Sequence, residues 1–193
     1  KMRFGNRPVI VDYSTQNTFT PYGSGWSWDD YQEAYLAERS AFPMYGNVVS
    51  FQRKNNQLQA TPSLALRPPF MNESMMQQLG KGDQFQITRL PDQNQFNVVS
   101  ASRTFRGATI PFKTKDGITA FQFLQDTLQQ IGITSTVQLS SRKPAGKLIY
   151  SIPTDSLLKP LMHRSDNFFA EQSLLMVSQR MLNRMSDEQV IDT

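Results

Sequence analysis

The tightest constraint on the fold lies near the middle of the chain. Ile118, Phe121, Leu124, Leu128 and Ile131 recur there at helical spacing and Gly132 closes the run. Apolar residues three and four apart share one helix face, so the spacing predicts an amphipathic helix opened at Asp116-Gly117 and stopped at Gly132. Thr109-Ile110-Pro111-Phe112 before it and Ile133–Leu139 after it read as strands, and a further strand is expected over Lys147–Ile152. A strand, a helix and a strand so close in sequence commit this region to a mixed layer in which the helix buries one face against a sheet.

Upstream, Pro8-Val9-Ile10-Val11-Asp12 reads as a short buried strand. Ser27 with Asp30 three residues on resembles a capping box, and a helix of two to three turns through Tyr31, Ala34, Tyr35 and Glu38 is the expected continuation. Residues 46–107 turn mostly to strands: Asn47–Phe51, Leu64–Leu66, Phe85–Thr88 and Phe96–Val99, with one small helix capped by Asn72 and carrying Met75, Met76 and Leu79. At the other end, helices are expected over Asp155–Arg164 and Asn167–Leu182, joined around Ser165-Asp166. Pro160 should bend the first or break it for a turn. The fold class is α+β.

Composition removes several functions. The 193 residues are 38% hydrophobic with a net charge of +4, which suits a globular chain of one domain or two small ones. The basic residues Arg39, Arg53, Lys54, Arg89, Arg103 and Arg106 are scattered, which reads as solvated surface and not as a nucleic-acid face. There is no cysteine, hence no disulfide, thiolate nucleophile or zinc–cysteine site. No apolar run reaches the roughly 20 residues that span a bilayer. The opening Lys1–Pro8 has basic residues without the apolar stretch of a signal peptide, so the chain reads as cut from something longer. His163, the single histidine, reads as surface. P-loop, dinucleotide and His-Glu-x-x-His patterns are absent, so neither cofactor nor metal is expected. Trp26 and Trp28 could stack on sugar, but two aromatics at a helix start are more often core or staple residues.

One triplet carries chemistry in context: Ser165-Asp166-Asn167 between two helical segments. Alone, it is an N-cap, with Ser165 or Asp166 capping the helix that starts at Asn167. Its surroundings give it more weight. Asp155–Glu171 resembles the stretch around the second motif of the class C penicillin-binding proteins, low-molecular-mass D-alanyl-D-alanine carboxypeptidases/endopeptidases. There an apolar helix leads through basic residues to Ser-Asp-Asn, then an aromatic or apolar pair and Ala-Glu or Ala-Asp. Gly25-Trp26-Ser27-Trp28-Asp29-Asp30 after the strand at Pro8–Asp12 is similar to the family's Gly-Trp-x-Trp-Asp/Asn-Asp signature. Ile110-Pro111-Phe112 through Gly132-Ile133 is similar to the segment before the second motif. The three stretches stand in the family's order.

The resemblance implies a serine acyl-enzyme mechanism built on S-x-x-K, S-x-N and K-T-G motifs. In it Ser165 would relay protons near the leaving group, Asn167 would hydrogen-bond the substrate's peptide, and Asp166 has no firm role. The nucleophile is absent from this chain. Ser140-Ser141-Arg142-Lys143 fits S-x-x-K by letter, but Pro144 and Gly146 oppose the helix that would put Ser140 and Lys143 on one face. Lys113-Thr114-Lys115 departs from K-T-G at the glycine and precedes the second motif, so it reads as a solvated loop.

By the same resemblance, residues 1–45 and 108–150 form an inserted second domain and 46–107 a nested β-rich third domain. Residues 151–193 are the first helices of the returning transpeptidase-like domain. Those helices, separated from their larger partner, would expose Phe168, Phe169, Leu174, Leu175 and Met176 and could self-associate. The parent enzyme would be exported and would act on peptidoglycan stem peptides in the periplasm or on the extracellular face of the membrane. It would bind β-lactams, whereas this chain alone would be inactive. The alternative is a non-catalytic module that binds cell wall or a partner protein.

Overall fold

A computed structural model describes residues 8–12, 19–23, 25–55, 57–72, 86–100, 107–114, 117–140 and 152–192. The expected helix after Asn72, the strand at Lys147–Ile152 apart from its last residue, and Arg103 and Arg106 lie outside them. The described strands are β1 (Val9–Asp12), β2 (Val48–Lys54), β3 (Gln57–Thr61), β4 (Gln86–Arg89), β5 (Phe96–Ser100), β6 (Gly107–Pro111) and β7 (Val137–Ser140). The helices are α1 (Ile118–Gln130), α2 (Thr154–Arg164), α3 (Asn167–Leu182) and α4 (Asp187–Ile191). The fold is α+β.

The helix predicted from periodicity is α1. Gly117 enters it at φ 68 and Gly132 leaves it at φ 80, backbone conformations in which a Cβ is strained. Its inner face buries Phe121 and Phe123. β1 and β7 pair in parallel, Val9 opposite Val137 and Val11 opposite Leu139. β2 is the centre of an antiparallel sheet ordered β3-β2-β6, and β4 pairs with β5. One apolar core joins these pieces: Val49, Phe51, Leu58, Phe70, Met71, Ile87, Phe96, Val98, Ile110, Phe112 and Phe123 are all buried together. Phe123 meets Phe70 and Phe112 with ring centroids 5.1 Å away in each case. Residues from 46–107 and from 108–150 therefore share a sheet, through β2 and β6, and a core.

Several expectations change. Leu64–Leu66 lies in a 3-10 turn at Ser63–Leu66, not a strand, because Pro62 before it cannot donate to a sheet ladder. β3 was not expected; its Gln-Leu-Gln-Ala-Thr sequence buries only Leu58 and holds its place by pairing with β2 along its whole length. The helix expected through Tyr31–Glu38 is two single 3-10 turns, Trp28–Asp30 and Ala34–Leu36, and Ser27 makes no side-chain cap. Trp28 is 81% exposed and so is no core residue. The chain then runs non-helically through Leu36, Ala37, Glu38, Arg39 and Ser40, all buried. A helix would turn some of these five residues to water. The open path lets Glu38, Arg39 and Ser40 each find partners, several of which, described below, lie far away in sequence.

Arg39 and Arg89 are buried as well, against the expectation of solvated surface. Arg89 donates Nε to Pro111 O at 2.8 Å and Nη1 to Leu90 O at 2.8 Å, and stacks on Tyr31 with its guanidinium carbon 5.1 Å from the ring centroid. Burial lowers its pKa. Carbonyl dipoles and a ring face thus replace the water this cation has lost.

Candidate functional site at the junction of two helices

α2 and α3 meet at Ser165-Asp166. α2 runs continuously through Pro160, so of the bend or break expected there the break does not occur. It stops because Ser165 takes a left-handed conformation, φ 49, with its N–H returned to Leu161 O; such a residue closes a helix by satisfying an orphan carbonyl. Asp166 then caps α3: its Oδ1 accepts the Phe169 N–H at 3.1 Å. Asp166 Oδ2 also lies 3.8 Å from Arg164 Nη2, an exposed and therefore weak pair. Of the three side chains, that of Asp166, to which family resemblance gave no firm role, is the one with a structural task. Ser165 and Asn167 on either side are exposed, and neither side chain has a hydrogen bond among the described residues. A hydroxyl and a carboxamide thus stand unspent beside the capped start of a 16-residue helix. His163 is exposed one turn earlier.

The other side of α3 is fastened. Gln172 forms a two-way amide bridge with Ser40, donating Nε2 to Ser40 O at 2.9 Å and accepting from Ser40 N at 3.2 Å. Arg39 Nη1 reaches Glu171 Oε2 at 3.0 Å and Asp187 Oδ2 at 2.5 Å, while its Nε and Nη2 hold Thr20 O. Leu175 is fully buried below them, and Ser178 ties α3 to the turn before α4 through Arg184 O and Ser186. The neighbouring Glu38 accepts from Thr114 N at 2.7 Å and Tyr22 Oη at 2.9 Å. Burial first, and then the charge and hydrogen bond of Glu38, push the Tyr22 pKa far up, so Tyr22 stays a donor. Thr114, read from sequence as part of a solvated loop, is buried in this network.

The expected exposed face of the last helices is also revised. Phe168 and Leu175 are buried; Met176 is exposed as expected, and Leu158, Met162, Val177 and Met181 face outward with it. Sequence reasoning missed Arg39, Ser40, Gln172 and Asp187. Nothing in their local pattern marks them, since each polar group matters only for the partner that tertiary contact supplies. Of the decoys, Ser140 ends β7, a strand and not a helix, and positions 141–143 lie outside the described residues. Among the described residues no group of three or more His, Asp or Glu could hold a metal ion. Within that set, too, no helix is long and apolar enough to cross a membrane.

The model of the D-Ala-D-Ala carboxypeptidase 3 (S13) family matches residues 6–192, nearly the whole chain. The chain belongs to that family. No curated protein matches it. Among solved structures, the S13 chain resembles penicillin-binding protein 4 from Haemophilus influenzae at 20% identity and a TM-score of 0.60. That alignment covers 96% of this chain and 44% of the other. A second structure of the Haemophilus influenzae protein, complexed with a β-lactam, aligns at 18% identity and a TM-score of 0.48, covering 96% and 42%. At 20% identity the likeness to the first is one of fold. The S13 chain spans less than half the length of these neighbours.

Proposed function

We propose that these residues are the middle of a serine-type D-alanyl-D-alanine carboxypeptidase/endopeptidase that works on peptidoglycan stem peptides from outside the cytoplasmic membrane. The observation that carries this reading is the Ser165-Asp166-Asn167 junction. The middle residue caps α3 and the outer two keep their polar groups free, in a chain of the S13 family. A serine elsewhere in the protein, activated by a nearby lysine, would attack the carbonyl carbon of the penultimate D-alanine. The C–N bond to the terminal D-alanine then breaks, the departing amine gains a proton, and water later hydrolyses the ester. Ser165 would pass that proton, and Asn167 would hold the substrate's peptide group. A β-lactam would be opened by the same serine and remain as a stable ester.

The division into 1–45 with 108–150, 46–107 and 151–193 belongs to this reading, with the nested part meeting its host across β2 and β6. The 193 residues alone would be inactive, because the nucleophile and the carboxylate-binding Lys-Thr-Gly are supplied elsewhere. Incubation of this chain and of the protein from the whole reading frame with a fluorescent penicillin tests both statements. The whole protein should be labelled, with Asn167→Ala slowing acylation, while this chain should not be labelled. A mass shift on the 193 residues that Ser140→Ala abolishes would sink the proposal.

A further inference from the structure

A groove of about 480 Å³ runs beside α1, and none of its described lining residues belongs to α2 or α3. Leu64, Phe121 and Val137 give it an apolar lining, together with Ile118, which is 56% exposed. Its charges cancel: Arg67 is paired with the buried Asp126, which also accepts from Gln130 Nε2. Gln125 is spent on Ser135 O and Val137 N. Gln122 and Gln129 remain. Both are exposed, and neither side chain is hydrogen-bonded among the described residues. They stand seven positions apart, on one face of α1 and about 10 Å apart along its axis.

We propose that this groove is a binding subsite for an uncharged, N-acetylated, β-1,4-linked glycan. An N-acetyl group joins a methyl to an amide, which matches apolar side chains bordered by free carboxamides. A groove in which Arg67, the only cation among its described lining residues, is already neutralised offers little to an anion. The helix rise between the two glutamines, about 10 Å, is close to the length of a disaccharide repeat, so acetamido groups on alternate sugars would meet Gln122 and Gln129 in turn, with Ile118 and Leu64 available to their methyls. An extended peptide fits worse. About 10 Å along a strand is three residues, and groups three apart point to opposite sides. The subsite lies outside the acyl-transfer reading and does not depend on it.

The test is titration of the full chain with hexa-N-acetylchitohexaose, followed by calorimetry and by saturation transfer to the acetyl methyls. Cellohexaose, which has the same linkage without the acetamido groups, is the comparator. Binding of the acetylated hexamer is expected to be at least tenfold tighter than that of cellohexaose, and Gln122→Ala with Gln129→Ala should weaken it about tenfold. Both glutamines are exposed, so the double variant should keep the parent melting temperature. Absence of binding, equal binding of the two glycans, or indifference to the double variant would each overturn the proposal. So would displacement of the hexamer by a stem pentapeptide. Penicillin labelling of the whole protein should be unchanged in the double variant, so the glycan subsite and the acyl-transfer reading can fail separately.

Discussion

Replacing Arg39 by Met removes the charge that ties α3 and α4 to the 36–40 segment and keeps most of the side-chain volume. The guanidinium is 1% exposed and bonds Glu171, Asp187 and Thr20 O. Deleting one partner of a buried ion pair costs about 3–5 kcal/mol. Glu171 and Asp187 keep 30% and 21% of their side-chain surface in water and can resolvate, so the lower end applies, about 3 kcal/mol. For a chain of this size that is a fall of about 6–12 °C in Tm, read by circular dichroism. The pH dependence gives a second readout. Burial, the largest single influence on Asp187, raises its pKa, but the hydrogen bond and charge of Arg39, with backbone N–H groups, outweigh it and leave the pKa below the ordinary 3.8. A depressed carboxylate stabilises the fold above its unfolded pKa and loses that contribution as pH falls through the folded value. Wild-type stability should therefore drop below pH 3.8 by a component that Arg39→Met lacks. A variant within 2 °C of wild type, or one with an unchanged acid profile, would refute the argument.

Phe123→Ala opens the centre of the core against Phe70 and Phe112 and should cost about 3–5 kcal/mol in urea unfolding. Gly107→Ala would put a Cβ 2.9 Å from Phe51 O across the β2–β6 pairing. Because the obstacle is backbone, a loss of about 1–3 kcal/mol is expected, with amide exchange in β6 accelerated. Asp166→Ala removes the cap of α3 and should cost about 1 kcal/mol, whereas Asp166→Asn, which keeps an accepting oxygen, should recover most of it. Failure of Asn to rescue would mean that the charge beside Arg164, and not the cap, is what matters.

The elements that could be read in advance are those whose signal is local. α1 announces itself because apolar residues recur at helical spacing between two glycines, and both glycines do take positive φ, although Ile118 and Ile131 of that set stay exposed and Phe123, outside it, is fully buried. The α2–α3 junction was legible for a similar reason, since a capping carboxylate acts on a backbone N–H only three residues away. The triplet's order relative to two other stretches carried the family, which covers residues 6–192. Polar β3 escaped notice because its stability comes from the neighbouring strand and not from its own propensity.

Sequence alone thus determined the α+β class, the presence of the central helix and the place of Ser165, Asp166 and Asn167 at the junction of two helices. Only the tertiary structure decided what becomes of residues 36–40. From sequence, a helix is expected to run as far as Glu38 and Arg39 reads as solvated surface. In the fold they run buried, because Arg39, Glu38 and Ser40 find two carboxylates, a side-chain amide and the backbone N–H and hydroxyl of Thr114, 76 to 148 positions further along the chain. Burying a polar group is unfavourable until its partners are in place, and partners that distant are brought together only by the folded chain.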